Sequence, residues 1–312
     1  MITTVTMNAS IDKAYYMEGN AENGTVMRVA SVHNSAGGKG LNVSRAAMLC
    51  GAEVQATGLV GGFNGMYLEN MLKADGIRSN FIHVSGETRS CINILDKKYG
   101  STEYLEPGFT VTEEEQREFL EKYPDIIKNS EIVTISGSLP KGLPPEFYGK
   151  ITVMAERMGK KVIMDSSGAT LREGLKGHPT LIKPNQDEIR MLFDTEIKSL
   201  EDVILCGKKL HEEKEIPYVV ISLGGDGALM VCEKGVFRGI SPKVKAVNTV
   251  GCGDSMVAGL AVALEQNRTP EEMLTYAMAV GAANALSPDT GRFDPKMIPE
   301  LEKNAVVDRI RR

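Results

Sequence analysis

The run Asn248-Thr249-Val250-Gly251-Cys252-Gly253-Asp254-Ser255 joins two small turns to one acid, and the apolar stretch Met256–Leu264 follows directly. That order predicts a helix whose first turn carries Asp254. The N–H groups of a first turn have no intrahelical acceptor, and the helix dipole makes them attractive to anions. A carboxylate held there can take a proton from a hydroxyl while the neighbouring N–H groups stabilise the negative charge that develops. That pairing suits phosphoryl transfer to a hydroxyl. A glycine-rich turn capped by an acid is the plainer explanation of the same residues.

Other clusters carry compatible chemistry. Gly37-Gly38-Lys39-Gly40-Leu41-Asn42 offers glycines for close backbone approach, a Lys point charge for a phosphate, and an Asn that can donate to and accept from sugar hydroxyls. It lacks the spacing of a Walker A loop. Asp12 follows the first strand closely enough to accept hydrogen bonds from two vicinal hydroxyls, or simply to shape a turn. Lys183-Pro184-Asn185-Gln186-Asp187-Glu188 opens a helix after a strand. Asn185 and Glu188 suit either a hydrated Mg²⁺ or a capping box. Ser222-Leu223-Gly224-Gly225-Asp226-Gly227 could frame a nucleotide or make a tight turn. Ser136-Gly137-Ser138-Leu139-Pro140 ends another strand, and Arg89 could grip a phosphate with its guanidinium fork.

These clusters need strands to end beside one another. Short runs rich in β-branched residues are predicted at Ile2–Met7, Val54–Val60, Ile132–Ile135, Lys161–Met164, Thr180–Ile182, Tyr218–Ser222 and Ala228–Val231. Helical patterns separate most of them, at Leu41–Cys50, Gly65–Ala74, Thr112–Tyr123, Pro145–Met158, Asp187–Phe193 and Val203–Glu213, with Gly253–Glu265 and Pro270–Leu286 at the end. Strands alternating with helices predict an α/β fold with a mainly parallel central sheet covered on both faces. Ligands then bind at the carboxyl ends of the strands. The short strands predicted at Ala14–Met17, Val26–Val32, Ile92–Leu95 and Thr102–Leu105 break the rhythm and are expected to form a small separate sheet over the site. The expected organisation is one domain over residues 1–312, with lid strands from about 13–33 and 89–106.

Composition fits this reading. The chain has 312 residues, 42% hydrophobic and 25% charged, no Trp, and a net charge of −5. That balance suits a globular core of aliphatic residues and argues against a nucleic-acid or anionic-membrane partner. Five scattered Cys without a CxxC pair fit neither a disulfide framework nor a zinc site. No signal segment or run of about 18 apolar residues is apparent, so a cytoplasmic location is expected.

Two motifs resemble the PfkB (ribokinase-like) carbohydrate kinase family: Gly37-Gly38-Lys39-Gly40-Leu41-Asn42-Val43-Ser44, and Asn248–Gly259 around Asp254. The intervening segments Ser136–Pro140, Asp165-Ser166-Ser167-Gly168, Lys183-Pro184-Asn185 and Ser222-Leu223-Gly224 follow in the family's order. Cys252 departs from it, since the family usually has Ala, Ser or Gly there. The resemblance implies a ribokinase-like fold with a β-sheet lid, ATP as phosphoryl donor, and Mg²⁺. It implies that Asp254 is the general base and that the N–H groups of Gly251, Cys252 and Gly253 form an anion hole. It further implies that Asp12, Gly38 and Asn42 hold sugar hydroxyls. Lys183, Asn185, Ser222, Gly224, Gly227 and Asn284 would line the ATP site, and Glu188 would lie in the Mg²⁺ region through water.

Within the family, the branch acting on phosphorylated hexoses is the most similar. It implies that Lys39 and Arg89 meet the substrate's existing phosphate and that Ser138 lies in the substrate site, with Arg28, on a lid strand, a further candidate acting across a homodimer built through the lid sheet. Arg89-Ser90-Cys91-Ile92-Asn93-Ile94-Leu95 looks more like tagatose-6-phosphate kinases than 1-phosphofructokinases, which stay the alternative. A kinase for an unphosphorylated sugar or nucleoside, and a sugar-sensing module without catalysis, are the more distant alternatives.

Overall fold

Apolar runs too short for helices, such as Ile132–Ser136 and Tyr218–Ser222, form the inner strands of a large sheet. The structure, a computed structural model, describes residues 1–310. Its strands in chain order are β1 (Ile2–Thr6), β2 (Ser10–Tyr16), β3 (Ser31–Gly37), β4 (Val54–Gly61), β5 (Arg78–Ser79), β6 (Ile82–Val84), β7 (Arg89–Asp96), β8 (Gly100–Leu105), β9 (Ile132–Ser136), β10 (Lys161–Asp165), β11 (Leu181–Ile182), β12 (Tyr218–Ser222), β13 (Ala228–Cys232), β14 (Gly235–Ile240) and β15 (Val306–Ile310). The helices are α1 (Lys39–Leu49), α2 (Gly62–Ala74), α3 (Glu113–Ile127), α4 (Phe147–Arg157), α5 (Gly168–Gly174), α6 (Gln186–Phe193), α7 (Leu200–Glu213), α8 (Cys252–Glu265), α9 (Pro270–Ala285) and α10 (Ile298–Asn304).

The large sheet runs β15-β14-β13-β12-β11-β10-β9-β1-β4-β5, and β6 also pairs with β4. Pairing is parallel from β5 through to β12 and antiparallel from β12 to β15. Both faces are buried, which is why the inner strands read as unbroken apolar runs rather than alternating ones. Val133, Val162, Ile182 and Val219 pack on one face with α3, α4, α6 and α7. Ile132, Ile163, Leu181 and Val220 pack on the other with α1, α8 and α9.

α8 is apolar all round because it is enclosed: every residue from Asp254 to Leu264 is buried. Each fully buried Leu or Val along it contributes about 1.5–3 kcal/mol. That packing fixes where the helix begins, and so fixes Asp254. α3 runs on through Pro124 to Ile127, past the end predicted at Tyr123, because Ile126 and Ile127 are buried against the sheet.

The second sheet is small, in the order β3-β2-β7-β8. β2 and β7 are parallel, while β2–β3 and β7–β8 are antiparallel. The expected strand at Val26–Val32 lies instead at Ser31–Gly37, ending on the glycines that lead into α1. The apolar residues that suggested the earlier start are solvent-facing: Val26 is fully exposed. β14 and β15 are not among the predicted strands: β14 follows β13 directly as a hairpin, β15 comes after α10, and both extend the sheet antiparallel. No described helix is long and apolar enough to cross a membrane.

Candidate active site

Asp254 is the third residue of α8, behind Gly251, which caps the helix at φ 78°. A Cβ on Gly251 would run into the Thr290 side chain, so both the backbone angle and the space require glycine there. The Asp254 carboxylate is 7% exposed and accepts a hydrogen bond from Asn42 Nδ2 at 2.7 Å. Burial and the neighbouring Asp165 carboxylate push its pKa up to about 6, against the pull of Asn42, Lys39 and Lys183. A buried carboxylate poised near neutrality suits a general base.

Two ammonium groups face it. Asp165 ends β10, 1% exposed, with Lys183 Nζ 3.4 Å from Oδ1 and Lys39 Nζ 3.8 Å from Oδ2. Neither carboxylate oxygen has a hydrogen-bond partner. The three side chains thus form a loosely tied ion cluster rather than a closed one. Asp165 raises the pKa of Lys39, with Asp254 and Glu188 adding to the effect. Lys183 lies beside the helix start: a Cβ built on Gly253 would stand 3.5 Å from its Nζ. First-turn N–H groups and two cations therefore converge next to the carboxylate. Of the three N–H groups expected to form an anion hole, that of Cys252 donates to Thr249 O at 3.3 Å, while those of Gly251 and Gly253 stay beside the carboxylate.

A second corner forms where β1, β2 and β7 meet. Asp12 sits in the middle of β2, accepting from Ser10 Oγ at 2.6 Å, and its pKa is raised by burial. Its carboxylate crosses Gly37, where any Cβ would overlap it. Gly38 turns at φ 106° into α1 against Thr6. Arg89 donates from Nε and Nη2 to Asn8 O, at 3.3 and 3.1 Å, and from Nη1 to Glu106 O at 3.1 Å. Of its five N–H groups, three are so used and two remain. Asn8 also reaches Ser138 Oγ at 3.3 Å, which brings Ser138 into the same corner. Lys39 and Arg89 were expected as joint phosphate ligands, but Lys39 pairs with Asp165 while Arg89 pairs with the Asn8 and Glu106 carbonyls. Arg28 is exposed and lies before β3 rather than on a strand.

On the nucleotide side, the expectations divide. Asn185 and Ser222 are paired across neighbouring strand ends. Asn185 and Glu188 do form a capping box, with Glu188 N donating to Asn185 Oδ1 at 2.8 Å and Asn185 N to Glu188 Oε2 at 2.9 Å. Glu188 Oε1 is outside that box. Gly224, at φ 61°, faces open space, as a backbone approached by a ligand would. Gly227 is glycine for a structural reason: a Cβ would collide with the Gly239 carbonyl of β14.

Asn284, expected to line the ATP site, is engaged inside the protein instead. It is 0% exposed and donates from Nδ2 to Val250 O at 2.9 Å and to Cys252 Sγ at 3.4 Å. Its Oδ1 accepts from Gly291 N at 2.7 Å. With both ends of the amide engaged, it braces the turn before Asp254 from beneath. Burial raises the pKa of the Cys252 thiol, keeping it neutral.

Sequence reasoning did not single out Asp165, Asn8 or Arg45. Asp165 stands in the sequence only within the segment Asp165–Gly168, and its place at a strand end, aligned with Ser136 of β9, is its signal.

Comparison with known proteins agrees with this architecture. The profile of the pfkB family carbohydrate kinases matches residues 5–297. A tagatose-6-phosphate kinase from Staphylococcus epidermidis is 37% identical over 310 residues, covering 98% of this chain and 99% of that protein. The crystal structure of phosphofructokinase-2 from Escherichia coli in complex with potassium superposes with a TM-score of 0.91 at 30% identity, over 97% of this chain and 98% of that one. A protein from Thermotoga maritima described as a possible 1-phosphofructokinase gives 0.90 at 26% identity, over the full length of both chains. The ribokinase of Arabidopsis thaliana shares the fold, with a TM-score of 0.77 over 97% of this chain and 98% of that one at 19% identity. A helix-borne carboxylate, a glycine-rich entry to α1 and a matching sequence along nearly its whole length make this chain a member of the pfkB family of carbohydrate kinases.

Proposed function

We propose that the protein transfers the terminal phosphoryl group of ATP to a hydroxyl of a hexose monophosphate, giving a bisphosphate, with tagatose 6-phosphate as the acceptor. ATP is the co-substrate of sugar kinases of this family. The observation that carries the reading is the Asp254 carboxylate, held by Asn42 at 2.7 Å within the first turn of α8 and raised to a pKa of about 6.

In this reading Asp254 takes the proton of the acceptor hydroxyl as its oxygen attacks phosphorus. The Gly251 and Gly253 N–H groups, Lys183 and Lys39 receive the charge on the transferring phosphoryl. Asp12, Gly38 and the unused Asn42 hydrogen orient the sugar. Arg89, with two N–H groups free, and Ser138 hold the existing phosphate. Mg²⁺ would shield the phosphate oxygens of ATP. Glu188 Oε1, a hard oxygen left outside the capping box, is suited to meet the ion through water. Asn185, Ser222 and Gly224 border the nucleotide.

Tagatose 6-phosphate is preferred because the 37% identical relative of that name is matched end to end. Fructose 1-phosphate is the second reading, favoured by the full-length structural match to the Thermotoga maritima protein. Values of kcat/KM for tagatose 6-phosphate, fructose 1-phosphate and fructose 6-phosphate, measured side by side, decide between them. A preference of tenfold or more for either of the latter two rejects the first choice, and no turnover of any of the three rejects the class.

The small sheet is proposed as a lid within a single domain and as the site of homodimer formation. β3 and β8 are its edges, and Val32, Tyr104 and Leu105 are exposed there at 48%, 60% and 63%. Open edges are usually covered. Sedimentation showing only monomer at assay concentrations would exclude the pairing.

A further inference from the structure

Arg45 is 2% exposed, and the proposed reaction makes no use of it. It lies on α1, one turn beyond Asn42. Its Nη1 donates to Ala36 O at 2.5 Å and its Nη2 to Asn42 Oδ1 at 2.6 Å. Ala36 belongs to β3, at the root of the small sheet, and Asn42 passes the contact on to Asp254 through Nδ2. A guanidinium only donates and a carboxylate only accepts. The Asn42 amide therefore has one orientation that serves both neighbours, with oxygen toward Arg45 and nitrogen toward Asp254. Arg45 Nε is buried without a partner. A buried cation with an unpaired donor is a costly way to fill space in a core, which points to a task other than packing.

We propose that Arg45 is a positioning residue that locks the Asn42 amide against Asp254 and ties the pair to the root of the small sheet. The inference rests on Asp254 acting as the base. The groups facing Asp254 are Asp165 on β10, Lys39 and Asn42 on α1, Lys183 after β11 and Cys252 on α8. Those acting on Arg45 are Arg292, Asp75, Asp12 and Asp254. Replacing Arg45 removes an opposing charge and frees the amide to rotate. Both changes make ionised Asp254 harder to maintain, so the acid limb of kcat/KM moves to higher pH.

The test is the pH dependence of kcat and kcat/KM, with phosphosugar and ATP, for Arg45→Met, Arg45→Lys, Asn42→Ala and the Arg45→Met/Asn42→Ala pair. Arg45→Met is expected to lower kcat about tenfold or more, to leave KM for ATP within about twofold, and to raise the acid limb by about half a pH unit or more. Arg45→Lys keeps the charge but offers one point donor in place of a fork. It is expected to shift in the same direction by less. Once Asn42 is Ala, the Arg45 change is expected to cost less than about a further twofold in kcat. An acid limb that stays put while kcat falls reduces Arg45 to packing, and additive losses in the double variant do the same. Should Arg45→Met not fold, an unshifted profile and normal kcat in Arg45→Lys overturn the proposal. Failure of the base assignment is a separate outcome, marked by near-normal kcat in Asp254→Asn.

Discussion

Asn42 and Asp254 begin different helices, yet the amide of the first donates to the carboxylate of the second across 2.7 Å. α1 and α8 lie side by side on one face of the large sheet, so the glycine-rich entry to α1 and the turn before α8 open onto the same point. The bond is buried, and its acceptor is a charge that burial disfavours. A site that holds an ionised group against its desolvation cost does so at the expense of stability.

That cost gives the first prediction. In the folded protein Asp254 has a pKa of about 6 against an ordinary 3.8, so the folded state binds its proton more tightly than the unfolded chain. Stability therefore falls as pH rises from about 4 to 6 and stays reduced above that. About two units at about 1.4 kcal/mol each puts the loss on the order of 3 kcal/mol at most. Asp254→Asn is expected to lower kcat by about 10² or more and, at pH 8, to raise Tm. The gain in Tm should shrink at pH 5, where the wild-type acid is itself largely protonated. Thermal melts at both pH values check this, and a variant less stable than wild type at pH 8 contradicts it.

The second prediction concerns Asp165. Its carboxylate raises the pKa of Asp254 directly while holding Lys39 and Lys183 in place. Asp165→Asn removes the like charge and leaves both ammonium groups free to act on Asp254. The acid limb of kcat/KM should move to lower pH, opposite to the effect of losing Arg45. KM for ATP should change as well, because Lys183 loses its partner beside Gly253. A limb that moves upward rules out this account of the cluster.

Much of this site could be read from residue order, and the exceptions have physical causes. Asp254, Gly38 and the Asn185–Glu188 pair declare themselves because glycine, a cap and an apolar run leave a local pattern. Asp165 and Asn8 do not, since a polar residue at a strand end is ordinary until the register of β9, β10 and β1 brings it to the others. Arg45 falls within the helical stretch Leu41–Cys50 with no local signal of its place, and its contacts with Ala36 and Asn42 show that it is interior. Asn284 went the other way: the family resemblance implied a place in the ATP site, whereas its amide is spent inside the turn. The mainly parallel sheet followed from alternating elements, but β14 breaks that alternation by following β13 directly, and β15 is a partly exposed strand whose pairing with β14 no local pattern announces.

A third prediction separates the two ends of the acceptor. Arg89 holds the Asn8 and Glu106 carbonyls with three N–H groups and has two more, which the proposed function gives to the phosphate. Arg89→Ala is expected to raise KM for the phosphosugar by about tenfold or more, the scale of a charge-assisted fork, with KM for ATP little changed. Arg89→Lys should recover only part of the loss, since an ammonium cannot span both contacts. Equal changes in the two KM values would remove Arg89 from the phosphate site.

The last prediction tests how the small sheet shapes the sugar site. Ser10 pairs with Gly37 on one side and with Arg89 on the other, and Asp12, two residues on, folds its carboxylate back across Gly37. A methyl group on Gly37 would occupy the place of that carboxylate. Backbone strain is not the issue, because Gly37 is not among the glycines at positive φ. Gly37→Ala must therefore displace either Asp12 or the strand. Since Asp12 is a half-buried side chain that can rotate and β3 is fixed by its pairing with β2, the side chain should yield. The expected result is a KM for the sugar raised about as much as in Asp12→Ala, Tm within a few degrees of wild type, and little further loss when the two changes are combined. Independent, multiplying effects of Gly37→Ala and Asp12→Ala on KM would show that the glycine serves something other than room for the carboxylate.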